Sequence, residues 1–166
     1  MSRHYHLPRW LKPANRIIVA LQRVFGLSIG TMHVLTVPGR KSGKLRSTPV
    51  SLMRHGKERY VVGGIPGADW VKNVRASGWG ILSYRRKSER IRLVELPVEE
   101  GAPILREFPR LVPHGVQFFR SMYPLPGDST LLPDAFEKLA PVCPVFRIEP
   151  TPASGHELTR TGAISR

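Results

Sequence analysis

The sequence predicts a mainly β, α+β fold: a small antiparallel β-barrel with an N-terminal helix and other helices packed outside it. Three observations predict it. Short strand-like apolar runs are joined by tight turns of glycine and charged residues. The order read along the chain is helix, three meandering strands, short helix, two strands, helix, loop, strand. At 166 residues the chain is one domain or slightly more, long enough to bury a real core.

Each element has its own signal. Residues 1–12 are basic and aromatic. Pro13 suits a first helical position and Gly26 a C-terminal stop. Between them Ile17, Ile18, Leu21, Val24 and Phe25 recur at three- and four-residue spacing. Residues 1–26 are therefore a basic segment with an amphipathic helix. Two readings of it stand: it packs on the domain as a lid or homodimer element, or it rests on an anionic membrane surface, which Arg9, Trp10 and Lys12 suit. Strands are expected at 31–37, 47–54 and 59–64, with His55-Gly56-Lys57 as the hairpin turn between the last two. The run Gly63-Gly64-Ile65-Pro66-Gly67 ends the third strand. A short helix follows over 68–76, with Asp69 near its start and Trp70, Val71 and Val74 on its apolar side.

Strands at 79–85 and 90–96 flank the charged turn Arg86-Lys87-Ser88-Glu89. A helix begins near Val98, with Glu99 and Glu100 in its first turn. Its apolar positions are Ile104, Leu105, Phe108 and Leu111, and Pro109 and Pro113 limit its regularity. Residues 114–133 read as a Pro/Gly-rich loop, 134–139 as a short helical turn and 142–149 as the last strand. The core domain is thus 27–150, and 151–166 is a polar, frayed tail.

Charge narrows the partners. There are 26 Lys and Arg against 12 Asp and Glu, a net charge of +14. Such a field favours anions: nucleic acid, an acidic membrane surface or a polyanionic small molecule. The single cysteine, Cys143, excludes an internal disulfide and fits a reducing, cytoplasmic compartment, with peripheral membrane association as the variant that the N-terminal segment allows. No CxxC or HExxH pattern occurs and the histidines are scattered, so no metal site is expected. No apolar stretch approaches the roughly 20 residues of a membrane span, and the N-terminus does not read as a secretory signal.

The strongest chemical signal is Gly39 to Thr48, GRKSGKLRST. Arg40, Lys41, Lys44 and Arg46 are interleaved with two glycines and with Ser42, Ser47 and Thr48, between two strand-like runs. Glycines let backbone N–H groups approach an anion, and the cations neutralise it with charge-assisted hydrogen bonds. A basic hairpin tip standing alone is more often a solvated turn, so the segments that follow it carry weight.

That turn runs on into Pro49, the hairpin 52–62, Gly63-Gly64, and Trp70-Val71-Lys72-Asn73-Val74-Arg75-Ala76. In this order the motifs resemble the deazaflavin-dependent nitroreductase family, over roughly residues 30–110. The resemblance implies a split β-barrel and the 8-hydroxy-5-deazaflavin coenzyme F420, which carries a phosphodiester and an oligoglutamate tail. It also implies roles. Arg40, Lys41, Ser42, Gly43 and Arg46 would surround the phosphate and carboxylates. Ser47, Thr48 and Pro49 would lie beside the ring, Gly64 and Ile65 would approach it closely, and Trp70, Lys72, Asn73 and Arg75 would close the site. Trp70 reads equally well as a core anchor, and Asn73 as a helix–loop hydrogen bond.

The chain also departs from that pattern. The linker after the double glycine is short, and Val71 stands where a tyrosine is frequent. The later loop offers Phe118 and Phe119, which cannot act as acids, leaving His114 and Tyr123 as proton-donor candidates. Phe118, Phe119, Met122 and Tyr123 are expected to form an apolar pocket for a small planar substrate such as an enone, quinone or nitroaromatic. The implied reaction is hydride transfer from the reduced deazaflavin, with the protein supplying orientation. Three alternatives remain at the level of sequence. FMN could replace the deazaflavin, or the protein could bind cofactor without turnover. A basic barrel could instead bind nucleic acid, with Trp10, Trp79 or Tyr84 stacking near Arg85, Arg86 and Lys87; the placement of the main cation cluster in a glycine turn disfavours that one.

Overall fold

The computed structural model describes residues 31–151. The expected N-terminal helix and the tail beyond Thr151 lie outside the described residues, as does any role of residues 1–26 as lid, dimer element or membrane contact.

Seven strands form one antiparallel sheet: β1 (Met32–Pro38), β2 (Leu45–Ser51), β3 (Met53–His55), β4 (Glu58–Val62), β5 (Trp79–Tyr84), β6 (Lys87–Glu95) and β7 (Val145–Pro150). Their spatial order is β2-β1-β5-β6-β7-β4-β3. The segment expected to be one strand over 47–54 is two strands, and they stand at opposite edges of the sheet. β2 pairs with β1, Thr36 facing Ser47, while β3 pairs with β4, Met53 facing Tyr60. The three strands are therefore not a simple meander. Leu52 links the two edges, and its N–H donates to the Thr31 carbonyl at 3.0 Å. The sheet curls until its two edges are consecutive pieces of one chain, which makes it a barrel. Pro49 is tolerated in β2 because an edge strand leaves one side of its backbone unpaired.

Alternation along the strands separates two cores. Leu35, Val37, Val50, Leu52, Val61, Leu82, Ile91, Leu93, Phe146 and Ile148 fill the barrel, joined by Val71 and Val74 of helix α1 (Asp69–Ser77). Val71 and Val74 share a helix face at three-residue spacing. Gly78 ends α1 at φ 71°, its N–H on the Val74 carbonyl at 2.7 Å. The opposite side chains of the same strands, Met53, Tyr60 and Val145, meet a helical layer. That layer comprises α2 (Val98–Arg106), α3 (Phe108–Leu111), α4 (Val116–Arg120) and α5 (Leu132–Glu137).

Residues 114–133 are not simply a loop. They hold a 3-10 turn at Pro113–Gly115, helix α4 and a second 3-10 turn at Ser129–Leu131. Tertiary burial explains this: Phe119 packs 4.8 Å from Phe108 and 5.0 Å from Phe136, centroid to centroid, and Val116 is buried beside them. No proline interrupts 114–123.

Candidate functional site

The cation turn is a hairpin loop over residues 39–44. Gly39 N–H donates to the Lys44 carbonyl and Gly43 N–H to the Gly39 carbonyl, both at 2.8 Å. Gly43 has φ +68°, which a side chain would disfavour. Gly39 is closely enclosed by polar atoms. A Cβ there would lie 3.1 Å from the Lys44 carbonyl oxygen, 3.5 Å from Ser42 Oγ and 3.6 Å from Arg46 Nε. Lys41, Lys44 and Arg46 are exposed and make no ion pair among the described residues.

Arg40 is different, because helix α1 holds it. Its backbone N–H and its Nη1 both donate to Asn73 Oδ1, at 3.1 and 3.0 Å, and its Nη2 reaches Asp69 at 3.0 Å. The Arg40 guanidinium holds the Asp69 carboxyl below the usual carboxylate range, first through that hydrogen bond and then through its charge. Asn73 is only 3% exposed. It fixes the turn to α1, and the Arg40 guanidinium carries further N–H donors beyond these two bonds.

β2 leads from this turn along the wall of a cleft of about 260 Å³. Thr48, Pro49, Val50 and Ser51 line one side. Met32, Val62, Gly64, Ile65 and Trp70 continue it, and Phe108, Gly115, Phe118 and Phe119 close it from the helical layer. Arg46 and Thr48 are two residues apart on one strand, roughly 7 Å. Cation turn and cleft are therefore one continuous surface. Ser47 is tied to buried Thr36, hydroxyl to hydroxyl at 2.8 Å. Gly64 owes its smallness to the helical layer: a Cβ would come within 2.9 Å of Phe119 Cζ and 3.2 Å of Phe118 Cε1. Trp70 both lines the cleft and packs on the barrel core, 5.7 Å from Phe146.

Not all expected residues meet here. Arg75 turns to Glu95, with two hydrogen bonds of 2.8 and 2.7 Å, and it lines a separate groove together with Lys72. Met122 does not line the cleft. The two proton-donor candidates are committed elsewhere. His114 Nε2 is 2.7 Å from Thr31 Oγ1. Tyr123 Oη donates to the Gly64 carbonyl at 2.9 Å and accepts from the Cys143 thiol at 3.4 Å. Burial, then the Cys143 contact, push the Tyr123 phenol far above its ordinary value. Sequence reasoning missed Met32, Val50, Ser51, Val62, Phe108 and Gly115 in the lining. Ser51 carried a signal, being one alternation from Pro49; Phe108 had been read only as a helix core position.

A family model described as F420H(2)-dependent quinone reductase matches residues 15–114, which include the cation turn, the cleft strand, the double glycine and α1. The chain belongs to this family. It is an oxidoreductase, and its cofactor is coenzyme F420. No curated protein matches it. Among solved structures, this F420-dependent reductase is similar to one described as an F420-H2 dependent reductase, FDR-A. The identity is 21% and the TM-score 0.50, over 75% of this chain and 100% of that one. A structure described as a domain-swapped dimer gives 18% identity and TM-score 0.50, over 83% and 100% of the two chains. A Listeria innocua protein described as a putative pyridoxamine 5'-phosphate oxidase gives 12% identity and TM-score 0.46, over 84% and 94%. The first two share the split-barrel fold with this chain.

The residues present fit such a cofactor. Beside Gly39 and the Lys44 carbonyl oxygen, Ser42 Oγ and Arg46 Nε offer donors to an anion, and Lys41 and Lys44, which make no ion pair among the described residues, add charge. The apolar wall of Pro49, Val50 and Trp70 offers a planar ring a dry surface next to it.

Proposed function

We propose that the protein reduces a small, planar, electron-poor acceptor of the enone, quinone or nitroaromatic type by hydride transfer from reduced coenzyme F420. The observation that carries this is the run of one strand from cations into an apolar cleft: Arg46 at the turn, then Thr48 to Ser51 along the wall. Lys41, Ser42, Gly43, Lys44 and Arg46 would hold the phosphate and the carboxylate tail. Arg40 would contribute its remaining donors while Asn73 and Asp69 set its place. Thr48, Pro49 and Trp70 would flank the ring. When bound, the reduced deazaflavin supplies a hydride from its C5 carbon.

Phe118 and Phe119 restrict the acceptor to a flat apolar molecule and exclude water from its face. Neither His114 nor Tyr123 fits the part of proton donor, since one is bonded to Thr31 and the other to Gly64. Solvent at the mouth of the cleft is the proposed proton source. The test is a fluorescence titration with coenzyme F420 and with FMN, then oxidation of the reduced cofactor with a naphthoquinone, a cyclohexenone and a nitrofuran as acceptors. Micromolar or tighter binding of the deazaflavin and acceptor-dependent turnover are expected. Preference for FMN, or binding without turnover of any acceptor, would overturn the reading.

The basic segment 1–26 adds a proposed contact with an anionic membrane surface. Cosedimentation with phosphatidylglycerol vesicles is expected at low salt, and failure to cosediment would leave only a packing role for that segment.

A further inference from the structure

The segment Gly63-Gly64-Ile65 is pinned from the side away from the cleft. Gly63 N–H donates to the Pro144 carbonyl at 2.9 Å, and a Cβ on Gly63 would meet Val71 Cγ2 at 2.8 Å. The Gly64 carbonyl accepts from Tyr123 Oη at 2.9 Å, and Tyr123 is held in turn by the Cys143 thiol. The Ile65 carbonyl accepts from Ala68 N–H at 3.2 Å, closing a tight turn with Pro66 second and Gly67 third at φ +68°. That is the residue order of a type II turn.

Among the described residues neither the Gly64 nor the Ile65 N–H has an acceptor, and the Ile65 N–H belongs to the peptide whose carbonyl Tyr123 holds. A trans peptide sets its N–H opposite its C=O, and among the described residues no peptide bond is cis. With the Gly64 carbonyl turned to Tyr123, the Ile65 N–H of the same peptide faces the other way. Gly64 and Ile65 line the cleft, and Tyr123 does not. Among the described residues no acceptor takes the Ile65 N–H.

We propose that the Ile65 N–H is a fixed donor for a carbonyl oxygen on a planar ring in the cleft, and that Tyr123 is the positioning residue that aims it. The oxygen belongs either to the deazaflavin ring or to the acceptor. The inference rests on the proposed function for the identity of the ring, but not for the geometry of the peptide. Tyr123 thereby acts on the ligand through the backbone, with its own proton retained.

The test uses the full chain and three substitutions. Tyr123→Phe removes only the phenolic oxygen, Ile65→Pro removes the donor itself, and Ile65→Ala keeps the donor while trimming the side chain. In the protein without cofactor, the Ile65 amide resonance is expected to shift and broaden in Tyr123→Phe, because its peptide is no longer held. With cofactor, Tyr123→Phe and Ile65→Pro are each expected to weaken binding about five- to tenfold and to shift the absorption of the bound deazaflavin, whereas Ile65→Ala, which trims a lining side chain but keeps the donor, leaves the absorption unshifted. If instead the acceptor KM rises by that factor with the cofactor affinity unchanged, the oxygen is the acceptor's. An unaltered Ile65 amide resonance in Tyr123→Phe, or unaltered affinity, spectrum and KM in both donor-affecting variants, overturns the inference. If Ile65→Pro does not fold, the Ile65 amide resonance and the binding of Tyr123→Phe decide alone. Failure of the wild type to bind deazaflavin would strike the proposed function, and the Ile65 amide resonance would still judge the peptide geometry.

Discussion

Replacing Asn73 with alanine is expected to free the cation turn from helix α1. Asn73 Oδ1 accepts two hydrogen bonds from Arg40, one from the backbone N–H and one from the guanidinium. A neutral bond contributes about 0.5–1.5 kcal/mol and one to a charged group about 1.5–3 kcal/mol. Their sum, about 2–4.5 kcal/mol, is an upper bound, because the released guanidinium regains water; its side chain is already 30% exposed. A loss of about 2 kcal/mol is therefore expected, or a fall in Tm of roughly 6 °C for a domain of this size. Urea unfolding gives the free energy, and a fluorescence titration gives the deazaflavin affinity, which falls because the turn is no longer held in one conformation. Asp69→Asn is the control. It removes an exposed ion pair and a first-turn charge of α1, each of which contributes little, so a loss well below that of Asn73→Ala is expected. A loss below about 0.5 kcal/mol in Asn73→Ala with unchanged affinity would refute the idea that Asn73 organises the turn.

Other outcomes follow from the same geometry. Lys41→Ala with Arg46→Ala is expected to weaken deazaflavin binding at least about tenfold and to reduce its salt dependence, whereas Arg75→Ala leaves the affinity unchanged because Arg75 is engaged by Glu95; a titration of each decides. Gly64→Ala drives a methyl group to 2.9 Å from Phe119 and is expected to cost about 1–3 kcal/mol in urea unfolding, with loss of acceptor turnover. The His33 imidazole is held below its ordinary value of 6.5, chiefly by burial and further by Arg54 and Arg59, against the Thr31 carbonyl bond and Glu89. The unfolded chain then binds its proton more readily, so the contribution of neutral His33 is present above pH 6.5 and is lost as pH falls below that value towards the folded pKa. Urea midpoints measured between pH 7.5 and pH 5 are expected to fall, and His33→Phe to fall less; equal slopes would exclude His33 as a cause.

Strand existence was legible because alternation and turn chemistry are local. Val34 to Val37, the His55-Gly56-Lys57 turn and the Trp79 to Tyr84 run all form the strands their patterns imply. The split at Leu52 was not legible, since an uninterrupted apolar run carries no mark of which edge each half will join. Helix α4 was missed because five residues hold little more than one helical period, and burial of Phe119 against Phe108 and Phe136 decides its shape. In the site, the cation turn and the strand after it could be read from residue type and spacing. The destinations of Arg75 and Tyr123 could not, because Glu95, Gly64 and Cys143 lie far from them in sequence and the barrel alone brings them near.

The placement of β7 between β6 and β4 bears on how the protein is made. Ile91 faces Pro150 across one border of this strand, and Tyr60 faces Arg147 across the other. While the ribosome is still delivering residues before Val145, β6 and the β3–β4 hairpin each present an open edge with no neighbour to pair with. Closure is thus a late, non-local event in biosynthesis, and the chain passes through a state with two adhesive borders. A stalled or prematurely released product lacking β7 is consequently the form of this protein most prone to aggregate, and the one a chaperone would be called upon to hold.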